Sequence, residues 1–67
     1  MPAPARLSPA ERRIVREVCA GRRNGEIARL LGKNLGTVKN QLSSAYRKLG
    51  VGSRVELILR HRRRPSG

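Results

Sequence analysis

Apolar residues along this 67-residue chain recur three and four positions apart, the spacing of helices that each cover one face. The longest run is Val38, Leu42, Ala45, Tyr46 and Leu49, at i, i+4, i+7, i+8 and i+11. Upstream, Ile14, Val15, Val18 and Cys19 form the inner stripe of a first helix whose Arg12, Arg13 and Arg16 face outward. Ile27, Ala28, Leu30 and Leu31 do the same for a short second helix. Near the C-terminus, Val55, Ile58 and Leu59 make one apolar face of a fourth helix, whereas Leu57 falls about 160–200° away from Val55 and Leu59 on a helical wheel.

Start and stop signals bound these helices. Ser8-Pro9-Ala10-Glu11 combines an N-cap serine, a proline at the first helical position and a capping-box glutamate, so the first helix is predicted from Pro9 to Ala20, ending at Gly21. Asn24 is the expected cap of the second helix, which stops at Gly32. Asn34 is the expected cap of a third helix over 35–49, which ends at Gly50. Ser53-Arg54-Val55-Glu56 is a second capping box and opens a fourth helix through about Arg62. The reading is an all-α, four-helix, bundle-like domain over residues 7–60. A flexible segment, 1–6, precedes it and a frayed basic tail, 61–67, follows.

The polar side of the third helix changes this picture from a fold to a function. Gly36, Lys39, Asn40, Ser43, Ser44 and Arg47 are small or hydrogen-bonding residues, unlike the Glu/Lys mixture of an ordinary solvated face. Asn40 offers a donor and an acceptor to an adenine edge, Lys39 and Arg47 can donate to guanine or phosphate, and the serines allow close approach. With the short second helix and the Gly32 turn before it, the 24–49 segment reads as a helix-turn-helix.

Charge points the same way. Sixteen Lys+Arg against four Asp+Glu give a net charge of +12, a balance that implies a polyanionic partner. Glu11, Glu26 and Glu56 each sit in the first turn of a predicted helix, where the macrodipole favours a carboxylate, so little negative charge is left to neutralise the surface. A membrane surface is a poor alternative, because an interfacial helix needs a Trp/Phe/Leu face and the chain has no Trp, no Phe and one Tyr. RNA readers that stack bases need aromatic side chains, and Tyr46 lies on an apolar face. Catalysis has no candidate constellation. Cys19 is the single cysteine and sits on the apolar side of the first helix, His61 is the single histidine, and there is neither a paired-carboxylate site nor a phosphate-binding glycine loop. No cofactor, metal or small-molecule ligand is expected. The apolar stretches are too short for a signal peptide or a span, so the expected location is the cytoplasm, at the bacterial nucleoid.

Residues 7–60 resemble the LuxR/GerE-type helix-turn-helix domain. The resemblance rests on Leu7-Ser8-Pro9-x-Glu11, Gly21, Asn24-x-Glu26-Ile27-Ala28, Thr37-Val38-Lys39 and Lys48-Leu49-Gly50-Val51-x-Ser53-Arg54, in order and with matching gaps. It implies a sequence-specific, double-stranded-DNA-binding transcription regulator whose third helix reads the major groove and whose fourth supports a homodimer on two half-sites. Under it, Lys39, Asn40 and Ser43 meet base edges, and Asn24, Thr37, Gln41, Ser44, Arg47 and Lys48 meet the DNA backbone. Leu57, outside the predicted core face, is the expected dimer contact, with pairing on DNA rather than in solution. Three positions depart from the family pattern. Lys33 stands where an apolar residue is usual, with Leu35 expected to cover the gap; Gln41 replaces a frequent histidine; Gly36 weakens helix propensity by about 1 kcal/mol relative to alanine. A non-specific nucleic-acid-binding module is the alternative. The outward arginines of the first helix also suit a protein contact, RNA polymerase among the candidates.

Overall fold

The computed structural model describes residues 6–63. Its element order is α1 (Pro9–Cys19), α2 (Asn24–Leu31), α3 (Leu35–Leu49) and α4 (Arg54–Arg63), with no strand among the described residues. The expected boundaries hold to within about two residues at every end. Residues 1–5 and 64–67, which carry most of the expected flexible segment and the end of the basic tail, lie outside the described range.

Each helix starts where a side chain or carboxylate meets free backbone N–H groups. At α1 the Ser8 hydroxyl accepts from the Glu11 N–H (3.1 Å) and the Glu11 carboxylate accepts from the Ser8 N–H (2.8 Å), a complete capping box. At α3 the Asn34 Oδ1 accepts from the Thr37 N–H at 2.8 Å. At α4 the Ser53 hydroxyl accepts from the Glu56 N–H, and the Glu56 carboxylate reaches back to the N–H of Gly52 rather than of Ser53. Helix α2 departs from the expectation. Arg23 is its N-cap residue, Glu26 accepts from the Arg23 N–H at 3.0 Å, and Asn24 is already helical with its Oδ1 buried and without a hydrogen-bond partner. Gly32 and Gly50 close α2 and α3 at φ 66 and 71, left-handed positions where a side chain would be strained.

Helix α1 packs against α3, α2 and α4, and α2 packs on α3. Ile14, Val18, Ile27 and Val38 are fully buried at the centre, joined by Ala28, Leu42, Ala45 and Val51, with Tyr46, Leu31 and Cys19 at the margins. Two apolar assignments are corrected. Leu30, expected inside, is 50% exposed, because an eight-residue helix packed on one side buries only Ile27 and Ala28 fully. The fourth helix is turned relative to its expected face: Leu57 is 3% exposed and belongs to the core, while Val55 (66%) and Leu59 (52%) face outward.

Hydrogen bonds explain the orientation of α4. Arg54, Leu57, Ile58 and His61 share a face at i, i+3, i+4 and i+7. The Arg54 guanidinium donates to the Arg22 carbonyl after α1, and Arg60 donates to the Leu49 carbonyl at the end of α3. The first contact ties α4 to the loop between α1 and α2, the second satisfies a carbonyl in the last turn of α3, and with them in place Leu57 points inward. Leu57 is therefore not available as a dimer contact.

Candidate nucleic-acid interface

Helix α3 carries two polar stripes of different character. Along the outer stripe Gly36, Lys39, Asn40, Ser43 and Arg47 are all exposed, at i, i+3, i+4, i+7 and i+11, opposite the buried Val38, Leu42 and Ala45. Lys39, Asn40 and Ser43, the expected base-reading residues, thus share one continuous surface, and Arg47 extends it by a turn. Neither Lys39 nor Arg47 has a carboxylate partner; among the described residues the ion pairs are Glu17–Arg22 and Glu11–Lys48.

The second stripe, Ser44 and Lys48, turns sideways toward α1. The Lys48 ammonium is 2.8 Å from a Glu11 oxygen, a contact spanning 37 positions of sequence. Glu11 is nearly buried, so its charge has to be matched, and Lys48, the Ser44 hydroxyl and the Ser8 N–H hold its carboxyl down to about 2 from the usual 4.5. Lys48, which the sequence places with Ser44 among the DNA-backbone residues, thus also pairs with Glu11 in a joint between the start of α1 and the end of α3. Glu11 was expected to serve only its own helix; the pairing with Lys48 left no local signature, since its partner comes from another element.

At the turn, Lys33 and Gln41 answer the departures from the family pattern. The half-buried Lys33 donates from its ammonium to the Gln41 Oε1 at 3.0 Å. Leu35 does not cover the gap as expected and is 43% exposed. A lysine stem can lie along an apolar margin while its head reaches a polar partner, which removes the need for the leucine. Gln41 keeps its amide N–H groups for other acceptors. Thr37 and Asn24 are half-buried near the starts of α3 and α2. Gly36 is not forced by packing: a Cβ there would meet only the Asn34 Oδ1, at an ordinary 3.5 Å.

The other chemical candidates are structural. Burial pushes the Cys19 thiol upward, away from the thiolate, and the phenol of Tyr46 is raised by burial as well. Among the described residues no His/Cys/Asp/Glu cluster could hold a metal, and no helix is long and apolar enough to cross a membrane.

Comparison with known proteins gives this geometry its context. Residues 5–61 match the family described as bacterial regulatory proteins, luxR family. The chain is 43% identical over 60 residues to a Mycobacterium bovis protein named as an HTH-type transcriptional regulator, Mb0914c, a match that covers 90% of this chain and 7% of that protein. It is 44% identical over 53 residues to the similarly named YhjB of Escherichia coli, covering 79% of this chain and 26% of the relative. GfsR of Streptomyces halstedii, also named as an HTH-type transcriptional regulator, is 43% identical over 61 residues, which is 91% of this chain and 25% of GfsR. No solved structure matches. The chain thus spans about a quarter of two of these relatives and far less of the third. With the helix-turn-helix in place and most of the chain matched, the protein belongs to the luxR family of bacterial regulatory proteins.

Proposed function

We propose that the domain binds double-stranded DNA with sequence preference, as the DNA-reading part of a transcription regulator, with α3 in the major groove. The observation that carries this reading is the outer stripe of α3. It is fully exposed, free of carboxylates, small enough at Gly36 and Ser43 for close approach, and equipped at Lys39 and Asn40 with groups that match base edges. Arg47 at the end of the stripe and Thr37 and Gln41 beside it take the phosphate contacts, Asn24 adds one from α2, and the surplus positive charge steers the encounter.

Pairing on two half-sites is assigned to the exposed ridge of α4, Val55 and Leu59, in place of Leu57. The ridge is too small to hold a dimer alone, and DNA supplies the effective concentration that makes a weak contact sufficient. A two-fold arrangement through it would place two recognition helices about one DNA turn apart. Non-specific binding driven by charge alone is the competing reading. Selection from random duplexes followed by sequencing decides between them: enrichment of a two-fold-symmetric motif is expected, and a pool that stays random after repeated rounds would leave only the non-specific reading.

A further inference from the structure

Away from the α3 stripe, α1 and α4 enclose an open groove of about 440 Å³. Its floor is apolar, formed by Leu7, Val15, Leu49 and the edge of Leu57. Its rim is formed by the cationic Arg12, Arg16 and Arg60, with His61 beside them. None of the four rim residues has a carboxylate partner among the described residues. Arg60 is held in place by its bond to the Leu49 carbonyl, so one side of the rim is fixed in advance.

We infer that this groove docks an acidic amphipathic helix of another protein, whose leucine-type side chains enter the floor while flanking Glu or Asp residues meet the arginines. The volume lies in the range of sites that take a few side chains, and a short apolar trough with charged edges is the geometry of helix-in-groove recognition. Charge decides among the occupants. A DNA strand would satisfy the rim and leave four apolar floor residues against phosphate. A second copy of this chain cannot supply the acidic ridge: it has four acids, of which Glu11 and Glu17 are already paired and Glu26 and Glu56 cap helix N-termini. The exposed Val55/Leu59 ridge lies about 160–200° around α4 from Leu57, so a dimer formed through that ridge leaves the groove open. Leu49 lies about 160–200° around α3 from Asn40 and Arg47, on the inner side of the helix, which lets groove and DNA stripe be filled together.

The test uses the full chain and a fluorescent helical peptide of about 16 residues with leucines on one ridge and glutamates beside them, against a matched peptide in which lysines replace the glutamates. The Glu peptide is expected to bind, the Lys peptide not. Combining Arg12→Glu with Arg16→Glu should weaken binding at least about tenfold, because two unlike charge pairs become like-charge contacts. The melting curve of that variant should resemble wild type, since both residues are exposed. Amide and methyl NMR shifts should move at Leu7, Val15 and Leu49. Addition of a duplex should leave the peptide bound. Shifts centred on Lys39 and Asn40, displacement of the peptide by DNA, or equal binding of both peptides would each overturn the proposal.

Discussion

Helices α3 and α4 obtain their orientation from different physics. In α3 five apolar residues over fifteen positions define one ridge, and burying that ridge against α1 and α2 leaves a single side for the polar stripe. In α4 the apolar residues are split between two opposed ridges, Leu57/Ile58 and Val55/Leu59, and hydrophobic burial alone does not choose strongly between them. Arg54 and Arg60 reach backbone carbonyls in the loop after α1 and at the end of α3, contacts that favour the Leu57 ridge facing in. A helix with one stripe announces its inner face; a helix with two takes it from polar contacts with its neighbours.

Truncation of the two α4 ridges gives the sharpest contrast. Leu57→Ala should cost about 2–5 kcal/mol in urea unfolding, a large part of the stability of so small a domain. Leu59→Ala should change stability by no more than about 0.5 kcal/mol, yet reduce cooperative occupancy of a two-half-site duplex. Equal losses from the two substitutions would erase the distinction between the ridges.

Capping gives a smaller effect on α3. Asn34→Ala removes the acceptor for the Thr37 N–H and should cost about 1 kcal/mol. Asn24→Ala should cost less, because Asn24 caps nothing and its buried Oδ1 has no partner to lose. Chemical denaturation of both variants checks the order.

The joint between α1 and α3 supplies a pH signature. Glu11 titrates at about 2 when folded and near 4.5 when unfolded, so the unfolded chain takes up the proton first and stability falls as pH drops from about 4.5 toward 2. Glu11→Gln removes that contribution. Its melting temperature should lie below wild type at pH 7, and the gap should narrow as the pH falls through that window. A gap that stays constant down to pH 2 would mean that the Lys48 pairing does not carry charge-dependent stability.

Gly36→Ala has the smallest expected effect on the fold, and its sign is informative. With room for a Cβ, alanine should stabilise α3 by about 0.5–1 kcal/mol. If the backbone at Gly36 comes close to DNA, the same variant will bind more weakly while melting higher; a parallel gain in both would show that the glycine has no part in the approach.

Legibility followed the range of the interactions. Ser8, Glu11 and Asn34 act within their own helix ends and could be placed from spacing alone, as could the Val38/Leu42/Ala45 ridge and the exposed Lys39, Asn40, Ser43 and Arg47 opposite it. The Glu11–Lys48 pair joins residues 37 positions apart, and nothing near either one signals the other. The Lys33–Gln41 bond and the inward turn of Leu57 were hidden for the same reason: each depends on a partner set by tertiary packing. Asn24 reads as a cap because Asn is a strong capping residue, but the preceding Arg23 takes the N-cap place and Glu26 supplies the acceptor.

Base reading by the outer stripe of α3 is decided by the ratio of specific to non-specific DNA affinity in Asn40→Ala, measured at one salt concentration on the selected duplex and a scrambled one. The expected loss is about 1–3 kcal/mol on the selected site alone, with preference relaxed at one position of each half-site. A variant whose two affinities fall together, leaving the ratio unchanged, would contradict base reading by Asn40 and leave α3 with a backbone-binding role.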